Sequence, residues 1–186
     1  MIMPPGLRKF ALTVHLTSSV GWIGAVAAYI ALDLAAARGQ DAQTLRAAYL
    51  AMEWTASLVI VPLALATLLT GLVMSLGTRW GLFRHYWTLI SLLLTVFATV
   101  VLLAETRTIS YFADRAANPA TSGEELRALG STLVHSVGGM VVLLLNMWLN
   151  MYKPRGLTPY GWRKQHEQRS ALQRSRQDEQ PKVSQP

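Results

Sequence analysis

The sequence predicts an all-α integral membrane protein, built as an antiparallel up-down four-helix bundle with both termini in the cytoplasm. Two observations predict the fold class, and the distribution of basic residues predicts the orientation. Hydrophobic residues make up 52% of the 186-residue chain and charged residues only 15%, whereas soluble domains carry about 25% charged residues. Four runs contain no Asp, Glu, Lys or Arg, and each has about the 20 residues that a transmembrane helix needs. These runs are residues 10–32, 54–78, 86–104 and 128–152.

The first two runs predict helices of about residues 8–33 and 44–79. The first run is longer than the apolar core of a signal peptide, which has about 7–15 residues, so we expect it to be retained as a transmembrane helix. Gly39 ends this helix, and Asp41 is placed to cap the next one. Pro62 lies inside the second run and predicts a kink, which a membrane helix tolerates when its neighbours satisfy the freed carbonyl.

The third and fourth runs predict helices of about residues 85–110 and 123–153. The joint between the second and third helices is short and carries Trp80 and Trp87. It therefore indicates a tight hairpin with aromatic anchors at the membrane interface. Residues 122–125 match a capping box, which marks the start of the fourth helix.

The bundle predicted for residues 1–156 is followed by a polar, basic tail, residues 157–186. This tail has too few large apolar side chains for a core, so we expect a disordered cytoplasmic segment. Eight of the 17 Lys and Arg residues follow Tyr152 and contribute most of the net charge of +7. In a membrane protein this charge favours anionic lipid headgroups as the partner, and nucleic acid is not expected.

The orientation follows from where the basic residues lie. Twelve of the 17 occur in the N-terminal segment, in the joint between the second and third helices, and in the tail. The other two joints share the remaining five. The positive-inside rule then predicts a multi-pass protein of the bacterial cell membrane with its N- and C-termini in the cytoplasm.

The chain has no cysteine, which excludes disulfides, thiolate-bound iron–sulfur clusters and covalently attached c-type haem. Among the histidines, His15 and His135 lie inside uncharged runs, and each belongs to a polar face at helical spacing. The face on the first helix comprises His15, Ser18, Ser19, Trp22, Tyr29 and Asp33, and that on the fourth comprises His135, Gly139, Val142, Asn146, Asn150 and Lys153. A hydroxyl face on the third helix comprises Thr88, Ser91, Thr95, Thr99 and Thr106.

Three interpretations of these faces stay open. The polar residues can hydrogen-bond to neighbouring helices, which is a common contact between membrane helices. Alternatively, neutral imidazole is a standard axial ligand of haem iron, and a four-helix bundle offers a slot for the macrocycle. A proton or metal-ion pathway is the third interpretation.

The depths of the two histidines argue against one shared iron. At a rise of 1.5 Å per residue, His15 lies about 9 Å to the cytoplasmic side of the bilayer centre and His135 about 7–8 Å to the outer side. The axial gap of roughly 16 Å is too wide for two ligands of one iron. We therefore expect one pocket beside His15 and Trp22, with Met74 at a depth similar to that of His15, and a separate site at His135. The residues nearest His135 in depth are Asp33, Glu53 and Trp54.

Three motifs carry a resemblance to known proteins. They are H-L-T-S-S-V-G-W-I-G from His15, W-G-L-F-R-H-Y-W from Trp80 and Y-K-P-R-G-L-T-P-Y-G from Tyr152. With them, the chain resembles small bacterial four-helix membrane proteins of unknown function and, more distantly, HemJ-type protoporphyrinogen oxidases and CopD-type copper proteins. In the HemJ type, a first-helix histidine and a later lysine are associated with haem b. His15 matches that histidine, and Ser91 stands where the lysine would align.

The resulting hypothesis is a membrane protein that binds haem b, or takes part in redox chemistry, through His15 and His135 as iron ligands. Trp22 and Met74 would belong to the haem environment. The alternative is a non-catalytic membrane protein. It would pack against a membrane protein partner or form a homo-oligomer, or it would bind lipid through its polar faces. The sequence leaves open whether the protein is an enzyme.

Overall fold

A computed structural model describes residues 3–39, 41–77, 82–154 and 156–179 of the chain. Within these ranges it contains helices and one isolated antiparallel bridge between His85 and Leu157. The helices are α1 (Pro5–Arg38), α2 (Ala42–Thr55), α3 (Val61–Gly77), α4 (Tyr86–Ala117), α5 (Gly123–Ala128), α6 (Leu133–Tyr152) and α7 (Pro159–Glu179), and a π-helical turn over Ala56–Ile60 joins α2 to α3.

Four of the described helical segments are long and apolar enough to cross a membrane. The chain thus has the architecture of an all-helical, multi-pass membrane protein, which confirms the all-α class and the four membrane helices that the sequence predicts. The predicted interfacial anchor Trp80 lies outside the described residues. The four segments are Pro5–Arg38, Ala42–Gly77, Tyr86–Ala117 and Leu133–Tyr152.

Two membrane helices continue beyond the charges that end their apolar runs. Helix α1 covers Pro5–Arg38 where the sequence predicts 8–33, and α4 covers Tyr86–Ala117 where it predicts 85–110. A charged residue marks the depth at which the chain leaves hydrocarbon. The helix itself can continue into water, because its backbone hydrogen bonds are internal to the segment.

The second membrane helix begins at its predicted cap and passes Pro62 through a π-helical turn. The backbone N–H of Thr44 donates to the Asp41 carboxylate at 2.8 Å, which confirms Asp41 as the N-cap. Further along, the N–H of Val61 donates to the carbonyl of Ala56, five residues earlier. Because proline lacks an N–H and clashes with the carbonyl four residues before it, a wider turn accommodates it without breaking the helix.

The predicted capping box is present but opens a different helix. The Ser122 hydroxyl accepts a hydrogen bond from the Glu125 backbone at 3.2 Å, and the Glu125 carboxylate accepts one from the Ser122 backbone at 2.9 Å. The short α5 that follows gives way to a turn in which Gly130 has a φ of 88°, a conformation that favours glycine. The fourth membrane helix therefore begins at Leu133, and the prediction of one helix over residues 123–153 is wrong.

The tail forms helix α7 over Pro159–Glu179, whereas its composition predicts disorder. Thr158 starts the helix, because its hydroxyl accepts a hydrogen bond from the Gly161 N–H at 3.1 Å, and Pro159 supplies a φ suited to the first helical position. The polar composition on which the prediction of disorder rests is nevertheless reflected in the exposure of this helix. Between residues 159 and 175, all of which are described, Gly161 alone is buried.

The best-packed region is the end of the bundle where residues 118–132 cover α2 and α4, which we call the loop end. Its side chains Asp33, Leu45 and Leu126 are almost completely buried. Helix α6 differs, because Leu143 is the one buried residue among its 20, all of which are described. The loose packing along α6 leaves room for two cavities.

Candidate functional site

Two cavities lie along α6, and each contains one of the two histidines that the sequence singles out. The His15 cavity has a volume of about 370 Å³, and the His135 cavity has a volume of about 340 Å³. Trp22 and Leu143 line both, so the cavities adjoin at these two side chains. The structure thus places each histidine in its own cavity.

The His15 ring is held by a hydrogen-bonded chain on α3. Its Nδ1 lies 2.9 Å from the Thr70 hydroxyl, and that hydroxyl donates its single hydrogen to the carbonyl of Ala66 at 2.6 Å. Because the Thr70 oxygen can then only accept from the ring, Nδ1 carries the proton. The lone pair of the neutral ring is therefore on Nε2, the arrangement that orients a metal-binding histidine through its other nitrogen.

Gly71 allows the His15 ring to approach the backbone of α3. A Cβ atom at residue 71 would lie 3.3 Å from Cε1 of His15, closer than most carbon contacts in a packed protein. Two other members of the predicted polar face, Ser18 and Ser19, bond to the His15 carbonyl on their own helix. His15, Ser19 and Trp22 are the members of that face that line this cavity.

The rest of the His15 cavity combines a thioether, aromatic rings and unpaired hydroxyls. Met74 and Trp87 line it, as does Lys153 at the end of α6. Thr67 and Thr88 also line it, and their buried hydroxyl oxygens have no hydrogen-bond partner within the described part of the chain. Buried polar atoms in folded proteins nearly always have partners, so these two hydroxyls are exceptions within the described part of the chain.

The asparagines of α6 pair with the hydroxyl face of α4. Ser91 donates to the Asn146 side-chain oxygen at 2.6 Å, and the Asn146 amide donates to Thr95 at 2.8 Å. The Asn150 amide donates to Ser91, also at 2.8 Å. These bonds confirm the structural interpretation for the two asparagines and for Ser91 and Thr95, because the two polar faces satisfy each other.

The His135 cavity has a carboxylate as the histidine's neighbour. Nε2 of His135 lies 3.6 Å from Oε1 of Glu105, and the two side chains are 58% and 22% exposed. The distance is too long for a direct hydrogen bond, and His135 faces an open cavity instead of a closed interior. Sequence reasoning missed Glu105, although it ends the third uncharged run and His135 lies near the start of the fourth membrane helix.

None of the three residues that the sequence places near His135 in depth lines the His135 cavity. Asp33 is fully buried and accepts hydrogen bonds from Ser131 and Thr132, both at 2.7 Å. Tyr29 lies 2.8 Å from the Thr132 hydroxyl and must donate to it, because Thr132 uses its hydrogen on Asp33. This chain holds the start of α6 against α1. The other two residues, Glu53 and Trp54, do not line the His135 cavity.

Two of the sequence motifs meet at the end of the bundle opposite the loop end. The Tyr86 N–H donates to the Gly156 carbonyl at 3.3 Å, and the Thr158 N–H donates to the Arg84 carbonyl at 3.0 Å. The Thr158 hydroxyl also donates to the Phe83 carbonyl. A Cβ at Gly161 would collide with the Arg84 carbonyl, so this motif docks the tail onto the joint between α3 and α4.

Comparison with protein-family models, with curated proteins and with solved structures finds no match to this chain. The resemblance to HemJ-type and CopD-type proteins therefore stays a prediction. The described residues contain no group of three or more His, Asp or Glu side chains that could hold a metal ion by themselves.

Proposed function

We propose that the protein binds haem b in the His15 cavity, as an antiparallel up-down bundle in the bacterial cell membrane with both termini in the cytoplasm. The observation that carries this proposal is the hydrogen bond between His15 Nδ1 and Thr70. It fixes a neutral ring with its lone pair on Nε2, beside a cavity between membrane helices. Haem needs one such nitrogen from the protein, because the macrocycle fills four positions around the iron.

The donors in this cavity fit haem better than they fit a bare metal ion. His15 supplies an imidazole, and Met74, which lines the same cavity, supplies a thioether; histidine and methionine together hold haem iron in cytochromes c. Ser91, at the position of the lysine in the resemblance, is engaged by Asn146 and Asn150. Met74 is therefore the better candidate for a second ligand.

Two tryptophans offer surfaces against which a planar macrocycle would pack. Trp22 and Trp87 line the cavity, whose volume of about 370 Å³ is at the lower end of the range of about 300–1,000 Å³ that is usual for ligand cavities. Lys153 lines the same cavity, so a cation lies near the place where a propionate carboxylate would bind.

When bound, haem b would supply one-electron redox chemistry. The chain's own residues orient the group and exclude water from it. Thr70 keeps the His15 ring in one tautomer and one orientation, and Gly71 leaves space for that ring. Trp22 separates the His15 cavity from the neighbouring one.

A second candidate function is supported by the exposed face of α6 and by the basic tail. Apolar side chains on α6, including Val141, Leu145 and Trp148, have no covering helix in the described chain. They would pack against another membrane protein or a second copy in a non-catalytic assembly, with lipid as the remaining neighbour. Arg163 and Arg169 on α7 lie outside the bundle and would contact anionic lipid headgroups.

The absorption spectrum of the detergent-purified protein tests haem binding. We expect a Soret band in the full chain as isolated, or after haemin is added, and its loss in His15→Ala. His166→Ala, a substitution of an exposed α7 histidine that stacks on Trp162, is the matched control and should keep the band. A colourless wild-type protein after haemin addition would contradict the proposal and favour the non-catalytic candidate.

A further inference from the structure

The His135 cavity has properties that haem binding at His15 does not explain. Its walls are almost entirely aliphatic and aromatic, from α1, the π-helical turn, α4 and α6. It is open along one side, because the lining residues Phe97 and Val134 are 58% and 83% exposed. This side faces outward between α4 and α6, where the acyl chains of a bilayer would lie. A ligand can therefore enter from the membrane.

Gly138 and Gly139 widen the cavity on the α6 side. A Cβ atom added at either glycine would meet no atom within 4 Å. The backbone of α6 is thus accessible along one turn, and a flat molecule can lie against it without a protruding side chain.

The polar groups of this cavity are concentrated at one edge. His135 and Glu105 face each other across 3.6 Å, a gap that leaves the imidazole and the carboxylate available to a third group. The other hydroxyls nearby are already committed, because Tyr29 donates to Thr132 and Thr132 donates to Asp33. A ligand would therefore meet one donor and one acceptor at the same point.

The charge at this edge selects against anionic ligands. The Glu105 carboxylate repels a fatty-acid or phosphate headgroup, and His135 can at most neutralise it. A neutral quinol hydroxyl fits both partners, because its oxygen accepts from the imidazole and its hydrogen donates to the carboxylate, whereas a quinone carbonyl accepts from the imidazole alone.

We propose that the His135 cavity binds a lipid-soluble quinone or quinol, with an oxygen of the ring between His135 and Glu105 and the ring against Gly138 and Gly139. This site is separate from the His15 cavity and does not rest on haem binding. Trp22, which borders both cavities, would then lie between the two ligands.

The test measures binding of decylubiquinone, a short-tailed benzoquinone, to the full purified chain in lipid nanodiscs by equilibrium dialysis. We expect saturable binding of about one quinone per chain. His135→Leu should raise the Kd about tenfold, the effect of losing one hydrogen bond to a partly desolvated group. His166→Leu is the matched control and should leave the Kd unchanged.

Glu105→Gln separates the quinol from anionic lipids by the sign of its effect. It should weaken binding of decylubiquinol, whose hydroxyl donates to the carboxylate, whereas removing the negative charge would strengthen binding of oleate, the anionic comparison probe. Gly139→Val should also weaken quinone binding, because its side chain would occupy the space of the quinone ring while His135 and Glu105 remain in place. Equal quinone binding by the wild type, His135→Leu and Gly139→Val would overturn the proposal, as would tighter binding of oleate than of quinone by the wild type.

Discussion

The His15 cavity and the His135 cavity adjoin at Trp22 but give their histidines different partners. His15 is bonded to the neutral hydroxyl of Thr70, whereas His135 faces the Glu105 carboxylate. A hydroxyl that can only accept fixes one tautomer and leaves Nε2 available for coordination. The Glu105 carboxylate lies 3.6 Å from the His135 ring, too far for a hydrogen bond. The imidazole and the carboxylate are therefore both available to a ligand. The partner of each histidine, and not its place in an apolar helix, therefore decides the chemistry we propose for each cavity.

A pair of glycine substitutions, one in each cavity, should show the largest difference in haem content between the two cavities. Gly71→Val should reduce bound haem at least tenfold, because even its Cβ would lie 3.3 Å from the His15 ring. Gly139→Val is the matched substitution in the other cavity, where a Cβ meets nothing within 4 Å, and it should leave haem unchanged. The measurement is the haem content per chain of the two purified variants. Equal losses in both would show that the cavities do not act separately.

Removing the hydrogen-bond partner of His15 should have a smaller effect. Thr70→Val keeps the shape of the side chain but leaves Nδ1 without its acceptor. Losing the residue that orients a metal-binding histidine typically lowers metal affinity about 10–100-fold, and we expect a haem affinity loss in that range. Haemin titration followed at the Soret band measures it. Thr106→Val, whose hydroxyl bonds to its own helix at Leu103, should titrate like the wild type, and an unchanged affinity in Thr70→Val would contradict the assigned tautomer.

Substitutions that remove hydrogen bonds between α4 and α6 should have the smallest effect, a decrease in the free energy of unfolding. Asn146→Leu removes the bonds to Ser91 and Thr95 and should lower the free energy of unfolding by about 1 kcal/mol, a usual value for hydrogen bonds between membrane helices. Asn150→Leu should cost less, because Ser91 keeps Asn146 as its partner. Unfolding in mixed detergent micelles measures both variants. The reverse order would contradict the hydrogen-bond pattern at this contact.

The parts of the fold that follow from the position of charges could be predicted from the sequence. Four uncharged runs give four membrane-length helices, because burial of charge in hydrocarbon is costly wherever it occurs. Helix ends were less predictable, since α1 and α4 continue past their first charges into water. Gly130, which lies in the turn between α5 and α6, is the residue whose type could have indicated a break in the predicted fourth helix. The α7 helix depends on Thr158 and on docking to Arg84, a contact between residues far apart in the chain.

The candidate sites were predictable only in part. Helical rise placed Met74 near His15 in depth, and both line one cavity. Depth alone does not give the rotation of one helix relative to another. Glu105 was therefore missed as the neighbour of His135, and Asp33 was considered there although it bonds to Ser131 and Thr132. The role of Gly71 depends on a close approach between two helices, which composition and spacing do not encode.

Chemical rescue of His15→Gly is the most direct test of the central claim, that His15 supplies the nitrogen that binds haem iron. The account predicts that this variant loses the Soret band in the presence of haemin. Added imidazole should restore the band with a saturable dose dependence, because the free ring can occupy the space of the missing side chain. His135→Gly should show the wild-type spectrum without imidazole. A His15→Gly variant whose haem spectrum matches the wild type before any imidazole is added would contradict the claim.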